Sequence, residues 1–326
     1  VGDGLLDVRA VVASLFGVGL RDHRVYLSKK ILSMYRYWMA VIGWVLVFGN
    51  VRGQEVVADT GVHLVSRQFS FTEGASVDRR GSVFFTDQPN NRIWEYDVHG
   101  RLSVFLDSAG RSNGMYFDHA GRLVTCADEN EQLWAISPDK KVKVLLRDVG
   151  GKRLNGPNDL WIDARGGIYF TDPYYQRPYW TRTKPEMDGE RVYYLPAGAS
   201  EARVVAADVV KPNGIVGTPD GRYLYVADIG AGKTYKYVIG GDGSLSDRQL
   251  FVMQGSDGMT LDERGDVYLT GDGVTVYDTA GKKIAHIVVR EPWTANLCFG
   301  GRDKKTLFIT ASQGFYRIRM RVRGVE

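Results

Sequence analysis

The chain is poor in the residues that build soft metal centres and redox sites. It has two cysteines, Cys126 and Cys298, in 326 residues, too few for a disulfide framework or a cysteine-rich zinc centre. Both fall in strand-like segments, so two buried free thiols are expected, with a bridge as the alternative. The five histidines (His23, His63, His99, His119 and His286) are scattered; they are read as leader, loop and turn residues, and no serine pairs convincingly with any of them. Charge of one sign is also missing from most of the chain. The net charge is +4, but residues 1–53 hold seven Lys/Arg and three Asp/Glu, and the rest holds 35 of each. A neutral domain offers no basic face for nucleic acid. The apolar run from Trp38 to Gly49 has twelve residues, short of the roughly 20 that span a bilayer as a helix.

That short run still has a meaning. Arg36 precedes it, and Val51 and Gly53 follow it as small residues before Gln54. This is the layout of a secretory leader, so residues 34–53 are read as a signal peptide and 54–326 as one domain. A secreted or periplasmic location follows, without stable membrane association once the leader is removed; an uncleaved anchor is the alternative. Residues 1–33 carry no clear element and are read as an unstructured upstream extension.

What the chain has in abundance is a repeat. Glu73 (TEGASVD), Asn113 (SNGMYFD), Asn158 (PNDLWID), Asn213 (PNGIVGTPD), Asp257 (SDGMTLD) and Asn296 (TANLCFG) recur at steps of 40, 45, 55, 44 and 39 residues. About fourteen residues after each comes a second signature, Thr86-Asp87, Ala127-Asp128, Thr171-Asp172, Ala227-Asp228, Thr270-Gly271 and Thr310-Ala311. A period near 40–45 residues with several strands per unit marks a β-propeller, here an all-β, six-bladed one. Within a unit, Asp163 to Gly167 is a hairpin turn, and the same D-x-x-G pattern recurs at Asp78, Asp118 and Asp262. Those aspartates are read as turn residues. Outer strands are expected at Arg92 to Tyr96, Gln132 to Ile136, Lys233 to Val238, Val274 to Tyr277 and Gly314 to Ile318. Asp87, Asp128, Asp172 and Asp228 are expected to close a strand and cap a loop, with lining of the site as the alternative.

A position repeated at the head of each inner strand faces one mouth of the central channel. Glu73, Asn158, Asn213 and Asp257 then deliver four oxygen donors with two negative charges, the donor set of a hard cation. Calcium suits it best, with Mg2+, Mn2+ or Zn2+ as alternatives. Against this stands the reading of Asn113-Gly114, Asn213-Gly214 and Asp257-Gly258 as plain turns, which six copies in phase weaken. Asn113, Asn296 and Thr294 are candidates to line the pocket.

The segments GKRLNGPNDLWIDARGGIYFTDP, VVKPNGIVGTPDGRYLYVAD and GSDGMTLDERGDVYLTG resemble the gluconolactonase, senescence marker protein and luciferin-regenerating enzyme family, from about Phe71 to Tyr316. The bacterial gluconolactonase-like branch is the nearer match. The resemblance implies a six-bladed propeller with one divalent metal and, in many members, hydrolysis of lactones. It assigns Glu73, Asn213 and Asp257 as metal ligands, Asp257 also as general base, and Asn158 as substrate-binding and metal-approaching. Animal members have an arginine where this chain has Gly156, so their substrate is not carried over. The expected partner is a small-molecule lactone.

A lactone hydrolase of this kind needs an activated carbonyl and a base, and a cation-bound carboxylate is a weak base that suffices for an activated ester. Specificity is expected from the third unit's extra residues, PYYQRPYWTRTKPEMDGE between Pro173 and Glu190. Tyr174, Tyr175, Tyr179 and Trp180 beside Arg177 and Arg182 suit a lid over a polyhydroxylated or anionic ligand, with Arg177 binding substrate; a plain surface loop is the alternative. Two rival functions remain at this point: a catalytically silent ligand- or protein-binding propeller, and a relative of strictosidine synthase or paraoxonase with another site.

Overall fold

The structure, a computed structural model, describes residues 56–326. The readings of 1–33 as an extension, of 34–53 as a leader and of cleavage before Gln54 lie outside the described residues. Six four-stranded antiparallel sheets account for the described chain. The first blade is β2 (Thr72–Val77), β3 (Val83–Asp87), β4 (Arg92–Tyr96) and β5 (Leu102–Asp107). The second is β6 (Ser112–Phe117), β7 (Leu123–Ala127), β8 (Gln132–Ile136) and β9 (Val142–Leu146). The third is β10 (Leu160–Ile162), β11 (Ile168–Asp172), β12 (Arg191–Leu195) and β13 (Arg203–Ala206). The fourth is β14 (Pro212–Gly217), β15 (Tyr223–Asp228), β16 (Lys233–Ile239) and β17 (Leu245–Val252). The fifth is β18 (Met259–Leu261), β19 (Val267–Gly271), β20 (Gly273–Tyr277) and β21 (Lys283–Ile287). The sixth joins β22 (Thr294–Gly300), β23 (Thr306–Ala311) and β24 (Gly314–Arg319) to the N-terminal β1 (His63–Ser66).

That last pairing closes the ring. β1 runs antiparallel to β24, with His63 opposite Arg317 and Leu64 opposite Tyr316, so the final blade is built from both ends of the propeller. Phe315 stacks on Phe85 of the first blade at 4.2 Å and on Phe308 at 5.6 Å, sealing the join with apolar surface. The strands expected as outer are the third of each blade, and the outermost strand lies beyond them. His63 and His286 sit on exposed outer strands, β1 and β21, rather than in loops. Cys126 and Cys298 are free and buried, on β7 and β22.

The D-x-x-G turns form as expected. Asp163 Oδ1 accepts from the Arg165 and Gly167 amides (2.8 and 2.9 Å), and Asp78 does the same for Arg80 and Ser82 (2.9 and 2.8 Å). The Asn-Gly pairs at the blade fronts are different, and the reading of them as turns fails. Of the glycines following the repeated position, only Gly74 has a left-handed φ (+57°). Gly114, Gly214 and Gly258 are there because the next blade leaves no room. A Cβ on Gly114 would lie 2.6 Å from the Asn158 carbonyl oxygen, one on Gly214 2.6 Å from that of Asp257, and one on Gly258 2.4 Å from Asn296 Cγ. Each front thus abuts the front of the following blade. The pairing of first and second strands also slips at this point, between Glu73 and Ser76, Ser112 and Met115, Pro212 and Ile215, and Thr294 and Asn296. Such bulges re-aim side chains, and here they occur at or beside the repeated residue.

The second signature holds these fronts in place. Thr171 Oγ1 donates to the Asn213 carbonyl (2.7 Å) and Thr270 Oγ1 to the Ala295 carbonyl (2.9 Å), tying each second strand to the next blade. Gly214→Ala should therefore destabilise the protein by about 1–3 kcal/mol, as overpacking does, because the opposing atom is backbone. Gly61→Ala, with nothing within 4 Å of its added Cβ, should stay within about 0.5 kcal/mol of the parent. Urea denaturation of both variants checks the pair; equal costs would contradict the steric account.

Candidate active site

Glu73, Asn113, Asn158, Asn213 and Asp257 line one pocket of about 270 Å³, together with Phe71, Gln88, Tyr175, Arg177, Ile229 and Trp293. Five of the six repeated residues therefore meet, as the repeat predicts. Glu73, Asn113, Asn158 and Asn213 are buried, and Asp257 is half-buried. The sixth copy, Asn296, does not line the pocket. Its Nδ2 donates to Glu73 Oε2 (3.2 Å) and its Oδ1 accepts from the Leu297 amide (2.7 Å), so it holds Glu73 from behind. Thr294 is buried and also absent from the lining.

The charges are arranged against themselves. Burial pushes the Glu73 carboxyl well up, and the neighbouring Asp257 charge pushes it further, while the Gly74 amide (2.6 Å) and Asn296 pull it down. Asp257 is pushed up by burial and eased by the Trp293 indole N–H, donated to Oδ2 at 2.6 Å, and by Asn213. Two carboxylates share the pocket, and the charge of Asp257 raises Glu73, an arrangement that positive charge would ease. Asn213 Oδ1 and Asn113 Oδ1 are buried without a hydrogen-bond partner, which a bound cation would remedy. Among the described residues no three His, Cys, Asp or Glu side chains are placed to hold a metal, so a cation here must draw on carboxamide as well as carboxylate oxygens. Glu73, Asn158, Asn213 and Asp257 supply that mixed oxygen set, which fits calcium or magnesium rather than zinc.

Arg177 lines the pocket but is already engaged. Its Nε donates to Asp128 Oδ2 at 2.8 Å; the same oxygen accepts from Gln88 (3.2 Å) and from the Tyr179 hydroxyl, and the Asp128 carbonyl accepts from Trp180 Nε1 (2.9 Å). The third-blade insertion is thus strapped across to the second blade. It forms one wall of the pocket through Tyr175 and Arg177. Trp180 also explains Gly156, whose added Cβ would lie 2.7 Å from Asp128 Oδ1 and 2.8 Å from the Trp180 ring. No arginine fits there in this chain.

The aspartates of the second signature divide accordingly. Asp87 accepts from the Ser70 and Phe71 amides (3.1 and 3.2 Å), Asp172 from Asn155 and Gly156 (both 2.9 Å), and Asp228 from Val210 and Lys211 (2.8 and 2.9 Å). Each caps the backbone that leads into its own blade front. Asp128 alone among the four serves the strap. The string Gly110-Arg111-Ser112-Asn113-Gly114 has the G-x-S-x-G spacing, but Ser112 is buried in β6 and its hydroxyl donates to the Ala109 carbonyl (2.5 Å); it is no nucleophile elbow. Sequence reasoning missed Phe71, Gln88, Ile229 and Trp293. The signal for Phe71 and Trp293 lay just ahead of two repeated positions, where the lead-in runs along the channel mouth.

A second cleft, about 370 Å³, lies between the first two blades and is lined by Phe84, Phe105, Phe117, Leu123 and Ile136. Its Asp78 and Asp118 are turn residues whose Oδ1 atoms bind their own backbone. Its remaining carboxylate, Glu95, is pushed up by burial and by the Asp78 charge, but no carboxamide lines this cleft, whereas the channel mouth gathers carboxylates and carboxamides together.

A six-bladed propeller with an acidic, carboxamide-lined pocket at one mouth is a small-molecule site on an all-β ring. Comparison with known proteins names its kin. The model of the SMP-30/Gluconolactonase/LRE-like region matches residues 71–313. The gluconolactonase of Zymomonas mobilis is 26% identical over 302 residues, covering 81% of this chain and 83% of that protein. A solved gluconolactonase from Xanthomonas campestris superposes with a TM-score of 0.75 at 28% identity, covering 81% of this chain and 91% of that one. A calcium-binding regucalcin from Agrobacterium tumefaciens shares the fold, with a TM-score of 0.68 at 18% identity over 81% of this chain and 95% of its own. The chain belongs to the SMP-30/Gluconolactonase/LRE-like family.

The Asp172 cap carries a pH dependence. Its carboxyl is pushed up to about 7, burial outweighing the two backbone donors, from an ordinary 3.8. The folded protein then keeps a proton that the unfolded chain has lost. Stability from this group is full below pH 3.8 and falls as pH rises towards 7. Asp172→Asn should flatten urea-denaturation stability across that window; an unchanged slope would show that the titrating group lies elsewhere.

Proposed function

We propose that the chain hydrolyses a sugar-type lactone with the help of one divalent cation, most readily Ca2+, held by Glu73, Asn158, Asn213 and Asp257. The lactone hydrolase class follows from family membership and from relatives, named gluconolactonases, that align over four fifths of the chain. One observation carries the finer reading: two carboxylates, both raised by burial and one raised further by the other, share a single small pocket with partnerless carboxamide oxygens. A regucalcin of the same fold is described as calcium-binding, which supports the choice of ion.

When bound, a divalent cation supplies Lewis-acid polarisation of an ester carbonyl. The protein's own groups do the rest. Asp257, half-buried at the pocket rim with Oδ2 held by Trp293, takes a proton as water oxygen bonds to the carbonyl carbon. It returns that proton to the ring oxygen as the ester C–O bond breaks, leaving an open hydroxy acid. Asn113 and Asn158 present carboxamides to the substrate hydroxyls, and Phe71, Tyr175 and Trp293 wall off water. Arg177 offers its remaining N–H donors from a position set by Asp128.

The test is hydrolysis of a small aldonolactone panel by the full chain, with calcium or with chelator, beside Asp257→Asn and Glu73→Gln. Chelation should abolish turnover, and Asp257→Asn should lower kcat by about 10²–10⁴, the usual contribution of a general base. Turnover indifferent to chelator and to both substitutions would overturn the assignment. Calcium binding without turnover on any lactone would favour a silent binding propeller. We also read residues 34–53 as a secretory leader; N-terminal sequencing of the native protein should then begin near Gln54.

A further inference from the structure

Two residues outside the repeat touch the proposed ligand set in a matching way. The Trp293 indole N–H donates to Asp257 Oδ2 at 2.6 Å. The Tyr175 hydroxyl accepts from Asn213 Nδ2 at 3.3 Å. Each contact occupies the heteroatom of a ligand that a cation does not need. An indole can only donate, so it takes one carboxylate oxygen and leaves Oδ1 as a single-oxygen ligand and base. A carboxamide can face either way; here its nitrogen is on the Tyr175 hydroxyl, which leaves the oxygen for the pocket. Asn213 Oδ1 is indeed buried and partnerless.

Both aromatic residues are themselves pinned. The backbone of Trp293 is clamped at both ends by Ser312, which accepts from its amide and donates to its carbonyl (3.2 Å each). The Tyr175 ring lies 4.6 Å beneath the Lys211 ammonium, and Lys211 holds the Tyr174 carbonyl at 3.0 Å. One side chain comes from the lead-in to the sixth blade and the other from the third-blade insertion. Together they brace the pocket from opposite parts of the ring.

We infer that Trp293 and Tyr175 are positioning residues for the cation site, fixing Asp257 as a single-oxygen ligand and Asn213 with its oxygen inward. The inference rests on the metal-dependent reading above. Outer hydrogen-bond partners of metal ligands typically govern about 10–100-fold in affinity. Tyr175→Phe removes only the polar contact; Trp293→Phe removes the N–H donor with part of the indole and keeps an aromatic ring.

Calcium alone is titrated into the full chain by calorimetry, with tryptophan fluorescence read in parallel. Each variant should bind calcium about tenfold or more weakly with the metal-free Tm unchanged. The calcium-dependent emission change of the parent should vanish in Trp293→Phe. At saturating calcium, Trp293→Phe should lower kcat with KM near the parent's. Affinities within about twofold of the parent, or a rise in KM alone, overturn this inference while the lactonase reading stands. No calcium uptake by the parent overturns the metal reading and this inference with it.

Discussion

The site depends on how closely the blade fronts approach one another. Where the first strands converge, backbone meets backbone: an added Cβ on Gly214 would sit 2.6 Å from the Asp257 carbonyl oxygen, and one on Gly114 2.6 Å from that of Asn158. Only glycine permits that spacing, and the spacing is what makes a 270 Å³ pocket out of residues from five blades. A looser ring would leave Glu73 and Asp257 too far apart to sense one another. The upward push of the Asp257 charge on the Glu73 carboxyl is the electrostatic consequence of a steric fact.

The second signature converts proximity into precision. Thr171 and Thr270 tie second strands to the next blade's front, while Asp87, Asp172 and Asp228 cap the lead-in backbone of their own. The result is a hoop of side chain to backbone bonds just outside the pocket. Such bonds are individually modest, about 1 kcal/mol net each. Their effect is geometric: they remove the freedom of the segments that carry the oxygen donors.

Much of this was legible in the sequence because it repeats. Six phased copies of one position disclose the blade count, and the charged copies, Glu73 and Asp257, stand out from the four asparagines and do meet in the pocket. The reason for Asn-Gly was not legible. A turn and a close backbone approach both select glycine, and only the φ angles of Gly114 and Gly214 separate them. Non-repeating parts were harder. Asp128 is indistinguishable in sequence from Asp87, Asp172 and Asp228, yet it binds Arg177 and Tyr179 across blades. Trp293 stands in the connection between the fifth and sixth blades, and its bond to Asp257 appears only when those two blades are packed side by side.

The insertion ties these threads together. An extra segment over a pocket invites the idea of a lid, but this one is held by a buried carboxylate that receives Arg177, Tyr179 and Gln88 at once. Releasing it would expose Asp128 unpaired in a site where burial already pushes its carboxyl up, a costly state for a charged group. The strap is therefore a fixed wall. Its Trp180 fills the space that Gly156 leaves open. One wall of the pocket thus has its position set by the second blade, while the oxygen donors are set by the ring itself. The strap meets the donor set through the Tyr175–Asn213 hydrogen bond and through the Arg177 charge beside Asp257.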